Sequence, residues 1–235
     1  MIDALEQRKK SLGAGAWYVY VAGWLDAPAA TALQDALTAQ VPWEQRSIQM
    51  FGKEILQPRL IGWAGDLPYR YSGQSLPPRE PLPVIEPLWA RVREEVEIPF
   101  NHLLLNRYRD GQDAMGYHAD DEPELGYEPV IAAVTLGVRR KFVFKAKGRR
   151  KKTRTVQLAH GSLLVMGGTC QHRFYHGVPR QASVGEERIN VTFRLLRGPP
   201  GWRPPASERK ERRPPHRKRP PREAGSPLPE PSSAP

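Results

Sequence analysis

From about residue 100 onward the chain is a succession of short apolar runs, at 103–108, 130–136, 142–145, 155–158, 162–166 and 189–195. Most are divided by Gly, Pro or charged residues, and runs of this length bounded by turn signals read as strands rather than helices. Several short strands so closely spaced predict a sandwich or jelly roll, because only a second sheet or a closed barrel buries that many apolar faces. The first hundred residues differ. Asp26 precedes a run to about Ala39, with Pro28 tolerated in a first helical turn, and predicts a capped helix. A second helix is expected over 86–96, where Leu88, Val92 and Val96 fall on one face. These helices are expected to pack outside the strands.

The composition changes after Arg197. Of the 39 residues 197–235, 12 are Pro and ten are Lys or Arg against four Glu. Such a segment offers too little apolar surface to offset its ordering entropy, so an extended, disordered basic tail is expected. The division expected is a flexible N-terminus over 1–14, a folded domain over 15–197 and the tail over 198–235. Across the whole chain, 39% apolar residues and six Trp are enough for a real core, so a wholly disordered protein is excluded. Cys170 is the sole cysteine, which excludes an internal disulfide and a cysteine-based zinc site. The longest apolar run, 16–25, is too short to span a bilayer. A reducing compartment, no membrane and a monomer are expected.

The net charge of +11 favours a polyanionic partner, nucleic acid being the commonest. Arg or Lys fills ten of the sixteen positions 139–154, with Gly148 as a hairpin turn. A charge run is usually a solvated face, but phosphates would relieve this one's self-repulsion.

The sharpest chemical signal is His118-Ala119-Asp120. On an extended strand, residues two apart point to one side, so an imidazole and a carboxylate converge. One distant His would complete the facial triad that holds a non-haem Fe(II) and leaves coordination sites open. The tripeptide alone is weak, since His-x-Asp also occurs as two exposed loop residues. Downstream, Gln171-His172-Arg173-Phe174-Tyr175-His176 offers two candidate third ligands. Arg188-Ile189-Asn190-Val191-Thr192-Phe193-Arg194 alternates, so Arg188, Asn190, Thr192 and Arg194 share one strand face. Two inward arginines need anions, and a small dicarboxylate would satisfy both. Asn106 and Tyr108 likewise share a face of their strand.

The ordered set Leu105-Asn106-Arg107-Tyr108-Arg109-Asp110-Gly111, His118-Ala119-Asp120-Asp121-Glu122, Ala159-His160-Gly161-Ser162-Leu163-Leu164, Phe174-Tyr175-His176 and 188–194 resembles the AlkB family of Fe(II)- and 2-oxoglutarate-dependent dioxygenases. The resemblance spans about 100–196 and extends more weakly to about Gly15. Met50-Phe51-Gly52-Lys53 and Tyr69-Arg70-Tyr71-Ser72-Gly73 are most similar to the branch that repairs duplex DNA.

The resemblance implies a double-stranded β-helix, with Fe(II), 2-oxoglutarate and O₂ as cofactors. It implies His118, Asp120 and His176 as metal ligands, with His172 the competing candidate for the third. Asn106, Tyr108, Arg188, Asn190, Thr192 and Arg194 would hold 2-oxoglutarate, the two arginines clamping its carboxylates. Asp121, Tyr69, Arg70 and Tyr71 would face a flipped-out base, and Phe51, with Gly52 and Lys53, would wedge into the base stack. Tyr69, Tyr71 and Phe51 also read as ordinary core aromatics. The implied activity is oxidative removal of alkyl groups from 1-methyladenine and 3-methylcytosine in DNA, with release of succinate, CO₂ and formaldehyde. Alternatives are a same-fold dioxygenase acting on RNA, protein or a small molecule, and a catalytically silent nucleic-acid-binding jelly roll. The setting would be the cytoplasm of a bacterium or the nucleus of a eukaryote.

Overall fold

A computed structural model of the chain describes residues 5–50, 53–71, 74–148 and 153–198. Residues 1–4 and 149–152, the tail from 199, and Phe51, Gly52, Ser72 and Gly73 lie outside the described residues. So do the side chains of Lys53 and Tyr71.

In chain order the elements begin with β1 (Lys10–Gly13), β2 (Ala16–Val21), α1 (Ala27–Gln40), β3 (Ser47–Met50), β4 (Lys53–Leu56) and β5 (Leu60–Gly65). They continue with β6 (Tyr69–Tyr71), β7 (Gln74–Leu76), α2 (Glu86–Val96), β8 (His102–Tyr108), β9 (Met115–His118) and β10 (Ile131–Gly137). The last are β11 (Arg140–Ala146), β12 (Thr153–Leu158), β13 (Ser162–Gly168), the single turn α3 (Cys170–Arg173), β14 (Phe174–Val178) and β15 (Arg188–Arg194).

A seven-stranded sheet runs β1-β2-β13-β10-β15-β8-β5, and a four-stranded sheet runs β12-β11-β14-β9. The short pairs β3-β4 and β6-β7 stand apart from both.

Strand alternation sorts the large sheet into two faces. Leu103 and Leu105 of β8, Val134 of β10, and Ile189, Val191 and Phe193 of β15 join Leu37 of α1 and Leu88, Trp89 and Val92 of α2 in one buried cluster. The helices therefore cover the outer face, as expected. Asp26 caps α1, its carboxylate accepting the Ala29 N–H at 2.8 Å. The other face looks across at the small sheet, with the rings of Tyr18 on β2 and Phe144 on β11 5.4 Å apart. Pleating thus directs Asn106 and Tyr108, and the polar set of β15, into the space between the sheets. The basic run forms a hairpin as expected, with β11 paired to β12 from Arg140 opposite Leu158 to Lys145 opposite Thr153.

The expected flexible N-terminus needs correction. Residues 10–13 are β1, paired with β2, and Leu12 is buried. The reversal runs through Gly13, Ala14 and Gly15, all at positive φ, which two glycines make inexpensive. Gly13-Ala14-Gly15 was the signal for a hairpin, masked by the basic residues before it.

Candidate active site

β9 and β14 are neighbours in the small sheet, with His118 directly opposite His176. Their rings lie 4.3 Å apart, and Phe142 of β11 stacks on His176 at 5.3 Å. Asp120 completes a cluster whose donor atoms all fall within 4.8 Å of one another. The route to that convergence differs from the expected one. β9 ends at His118, so Asp120 is not two places along the same strand. It is instead held from outside: its N–H donates to Oε1 of fully buried Gln171 on α3 at 3.0 Å. That brings an Asp120 oxygen to 3.7 Å from His118 Nε2.

Charge sets the protonation of this cluster. Burial opposes ionisation of Asp120, but Arg194, His176 and His118 outweigh it and hold the carboxyl down at about 2. Arg194 donates through Nη2 to both carboxylate oxygens, at 3.0 and 3.1 Å. His176 is pushed down to about 3 by burial and then by His118, while burial also lowers His118. Both imidazoles are therefore neutral at pH 7, the form that offers a lone pair to a cation. Hydrogen bonding of His118 Nδ1 to the Gly116 carbonyl at 3.0 Å turns Nε2 toward Asp120 as the acceptor.

Beside the cluster lies a buried polar ladder on β15. Arg188 donates through Nη2 to Thr135 Oγ1 at 2.9 Å and to Asn190 Oδ1 at 2.8 Å. The Asn190 amide donates in turn to Thr192 Oγ1 at 2.7 Å. Arg188 is fully buried, its guanidinium 5.1 Å from the Tyr108 ring centre. Among the described residues no carboxylate pairs with it, its Nε and Nη1 make no close hydrogen bond, and the Tyr108 phenol is its remaining polar contact. Burial accordingly lowers it to about 10. A buried cation with two idle donors fits a carboxylate that the protein itself does not provide. The two arginines expected to act alike thus differ, since Arg194 is already engaged by Asp120. One cleft is lined by His118, Asp120 and His176 together with Asn106, Tyr108, Asn190, Thr192 and Arg194.

The remaining candidates separate. His172 is on the exposed side of α3, bonded to the Tyr127 carbonyl and 4.7 Å from its ring, and is not in the cluster. His160 accepts the Gly137 N–H. Cys170 is buried, which pushes its thiol up to about 12. Tyr69 is wholly buried and packs on His102 at 4.9 Å, with the Arg194 guanidinium 5.3 Å from its ring, so in this structure it occupies the core position. Arg70 is exposed. Asp121 is exposed and pairs with Lys147 at 3.0 Å.

Sequence reasoning missed three residues at this site. Gln171 orients Asp120, as above. Arg59, buried ahead of β5, donates to Asn106 Oδ1 at 2.7 Å and so fixes that amide. Glu122 lies near Tyr69, and burial, then Asp120, push its carboxyl up to about 7. Glu122 was legible as the neighbour of the acidic pair; Arg59 and Gln171 carried no local signal.

Residues 18–194 match the 2OG-Fe(II) oxygenase superfamily. The chain is 38% identical over 192 residues to alpha-ketoglutarate-dependent dioxygenase alkB homolog 3 of Rattus norvegicus, covering 76% of this chain and 65% of that protein. It is 43% identical over 158 residues to DNA oxidative demethylase ALKBH2 of Mus musculus, covering 63% of this chain and 66% of the relative. To ALKBH2 of Arabidopsis thaliana it is 33% identical over 228 residues, 83% of this chain and 71% of that one. The chain thus spans about two thirds of the length of these relatives. The solved structure of OsALKBH1 shares the fold, with a TM-score of 0.53 and 19% identity over 79% of this chain and all of that one. The superfamily's cofactors are Fe(II), 2-oxoglutarate and O₂, and the residues present suit them. Two neutral imidazoles and one ionised carboxylate are the donor set for Fe(II), and Arg188 is the waiting cation for a dicarboxylate. By its matched length and its ordered site, the chain belongs to the 2OG-Fe(II) oxygenase superfamily and, within it, to the AlkB family.

Proposed function

We propose that the chain is a DNA-repair dioxygenase that oxidatively demethylates N-alkylated bases, 1-methyladenine and 3-methylcytosine, in duplex DNA. The observation that carries this reading is the His118–Asp120–His176 cluster in a cleft also lined by Tyr108 and Asn190, behind which buried Arg188 packs on Tyr108 and bonds Asn190 without a carboxylate partner. Iron, 2-oxoglutarate and O₂ supply, when bound, the oxidising power that hydroxylates an N-methyl group, which then leaves as formaldehyde while succinate and CO₂ are released.

The protein's part is to hold, orient and exclude water. His118, Asp120 and His176 would hold the metal, and Gln171 and Arg194 keep Asp120 aimed and ionised. Arg188 would take one carboxylate of 2-oxoglutarate through its idle Nε and Nη1, with Tyr108 and the Asn190–Thr192 pair shaping the slot. Arg59 keeps Asn106 turned for the same purpose.

The choice of nucleic acid draws support from the net charge of +11 and from the basic hairpin. Support for DNA comes from the relatives called DNA oxidative demethylase. Methyl groups on the pairing edge weaken the base pair, so these lesions cost less to extrude than normal bases. Phe51, outside the described residues, would fill the gap left in the stack.

The test is formaldehyde release from oligonucleotides carrying each lesion, single- and double-stranded, DNA and RNA, with and without 2-oxoglutarate. Release from methylated duplex DNA that requires 2-oxoglutarate is expected. Turnover confined to RNA, or none on any methylated strand, would overturn the assignment.

A further inference from the structure

The strands that turn His118 and His176 inward turn tyrosines outward. On β9, Tyr117 precedes His118 and is 50% exposed; on β14, Tyr175 precedes His176 and is 41% exposed. Lys145 of β11 stands directly opposite Tyr175 in the sheet register. Its Nζ lies 5.4 Å from the centre of the Tyr117 ring, and Lys147 Nζ lies 4.9 Å from that of Tyr175. Two exposed rings and two ammonium groups therefore interleave on the outer face of the four-stranded sheet, the side away from the cleft. Among the described residues, Asp121 is the carboxylate that pairs with these lysines. Lys141 adds another exposed cation on the same face of β11.

We infer that this outer face is a platform for an unpaired nucleic-acid strand, with bases stacking on Tyr117 and Tyr175 and adjacent phosphates meeting Lys145 and Lys147. The chemistry points to a single strand. Base–aromatic stacking needs an open base face, which a duplex closes, and it tolerates any sequence because every base has one. The lysines neutralise phosphates without reading sequence. A cation over an exposed ring is the weaker contact, so an incoming base displaces the ammonium and frees it for the backbone. A second protein fits less well, because the rings sit singly among cations rather than in a contiguous apolar patch.

Topology gives the platform a use. β9 is the edge strand of its sheet, so a strand crossing Tyr117 arrives at the rim beyond which His118 faces the cleft. The inference rests on the proposed function in taking nucleic acid as the substrate. It adds a second contact, in which an unpaired stretch of strand outside the duplex that carries the reacting base is gripped on the sheet's outer face.

The test measures fluorescence anisotropy of labelled, unmodified oligothymidylate and oligouridylate, about a dozen nucleotides long, and of a blunt duplex of equal length. Tyr117→Ala and Tyr175→Ala are each expected to weaken single-strand binding roughly 5- to 150-fold, the loss of one stacked base. Tyr117→Phe and Tyr175→Phe, which keep the ring, should bind within about twofold of the parent. Duplex affinity should scarcely move. Equal losses on the DNA and RNA strands are expected of stacking; a loss confined to one of them shows that sugar contacts dominate and overturns it. Undiminished binding by the double Ala variant, or equal losses on single strand and duplex, overturns the platform. Should the Ala variants melt early, Lys145→Gln with Lys147→Gln leaves the rings in place and must flatten the salt dependence; an unchanged slope overturns the platform. Because these strands carry no lesion, this arm reads the platform whatever the chemistry. Formaldehyde release by the parent protein from methylated strands reads the chemistry alone.

Discussion

Replacing Arg188 with Met should leave the apo fold nearly as stable and remove most of the affinity for 2-oxoglutarate. Burial lowers this guanidinium from 12.5 to about 10. That corresponds to ~3 kcal/mol by which the folded protein disfavours the charge. Against this relief stand the bonds from Nη2 to Thr135 and Asn190, each worth about 1.5–3 kcal/mol when the donor is charged. Together those bonds are worth about 3–6 kcal/mol, so the net change should stay within about 3 kcal/mol, or under about 12 °C in the thermal midpoint of a domain this size. Ligand binding has no such compensation. Losing the cation that faces a buried carboxylate costs about 2–5 kcal/mol, roughly 30- to several-thousandfold in affinity. The assay is the thermal midpoint with and without 2-oxoglutarate, in the absence of O₂, with redox-inert Mn(II) in place of iron. At a hundred times the dissociation constant the parent should gain about 2.7 kcal/mol, and the variant under about 1 kcal/mol at the same concentration. A variant that still gains the parent's increment would refute the role given to Arg188. A variant that loses far more than about 3 kcal/mol without ligand would show that Arg188 is structural.

Asp113 is buried and takes two side-chain bonds from Arg109, at 2.8 and 2.9 Å. Burial would raise its carboxyl, but those bonds outweigh it and hold it below the usual 3.8. A depressed folded value means its stabilisation is whole above pH 3.8 and is lost as pH falls through the folded value; Asp113→Asn should therefore flatten the acid limb of a stability–pH curve, and an unaltered limb would contradict this. His176→Ala should abolish turnover whereas His172→Ala, outside the donor cluster, should keep it, with formaldehyde release as the readout; the reverse pattern would transfer the ligand role. Phe51→Ala should slow repair of a methylated duplex far more than repair of the same lesion in a single strand, since only a duplex has a stack to hold open. An equal loss on both, with a lowered melting temperature, would return Phe51 to the core.

How much was legible follows from the range of the forces involved. Alternation along 188–194 sorted Arg188, Asn190, Thr192 and Arg194 from Ile189, Val191 and Phe193, because pleating is local and period two leaves no other solution. Helix α1 was read from Asp26 and Pro28, again a local rule. The convergence of His118 and Asp120 was anticipated for a reason that does not hold, since β9 stops at His118 and buried Gln171, 51 positions away, positions the carboxylate. No local pattern encodes a tether of that separation. The inequality of Arg188 and Arg194 was invisible for the same reason: they share a strand face, and which of them meets Asp120 is decided by packing across the two sheets. β2 was hidden differently, because a run of Tyr, Val and Trp flanked by Gly has no polar alternation to declare it, one of its faces meeting the helices and the other the small sheet.

The central claim is that this cleft couples consumption of 2-oxoglutarate to removal of a methyl group from a base. The most direct measurement follows both products in one reaction: mass spectrometry of a 1-methyladenine duplex alongside quantification of succinate, with Fe(II) and 2-oxoglutarate supplied. The strand should lose the mass of one methylene as succinate appears in equal amount, and both should vanish with Asp120→Ala. Succinate formed at the same rate with unmethylated DNA, and no change in the mass of the methylated strand, would contradict the account.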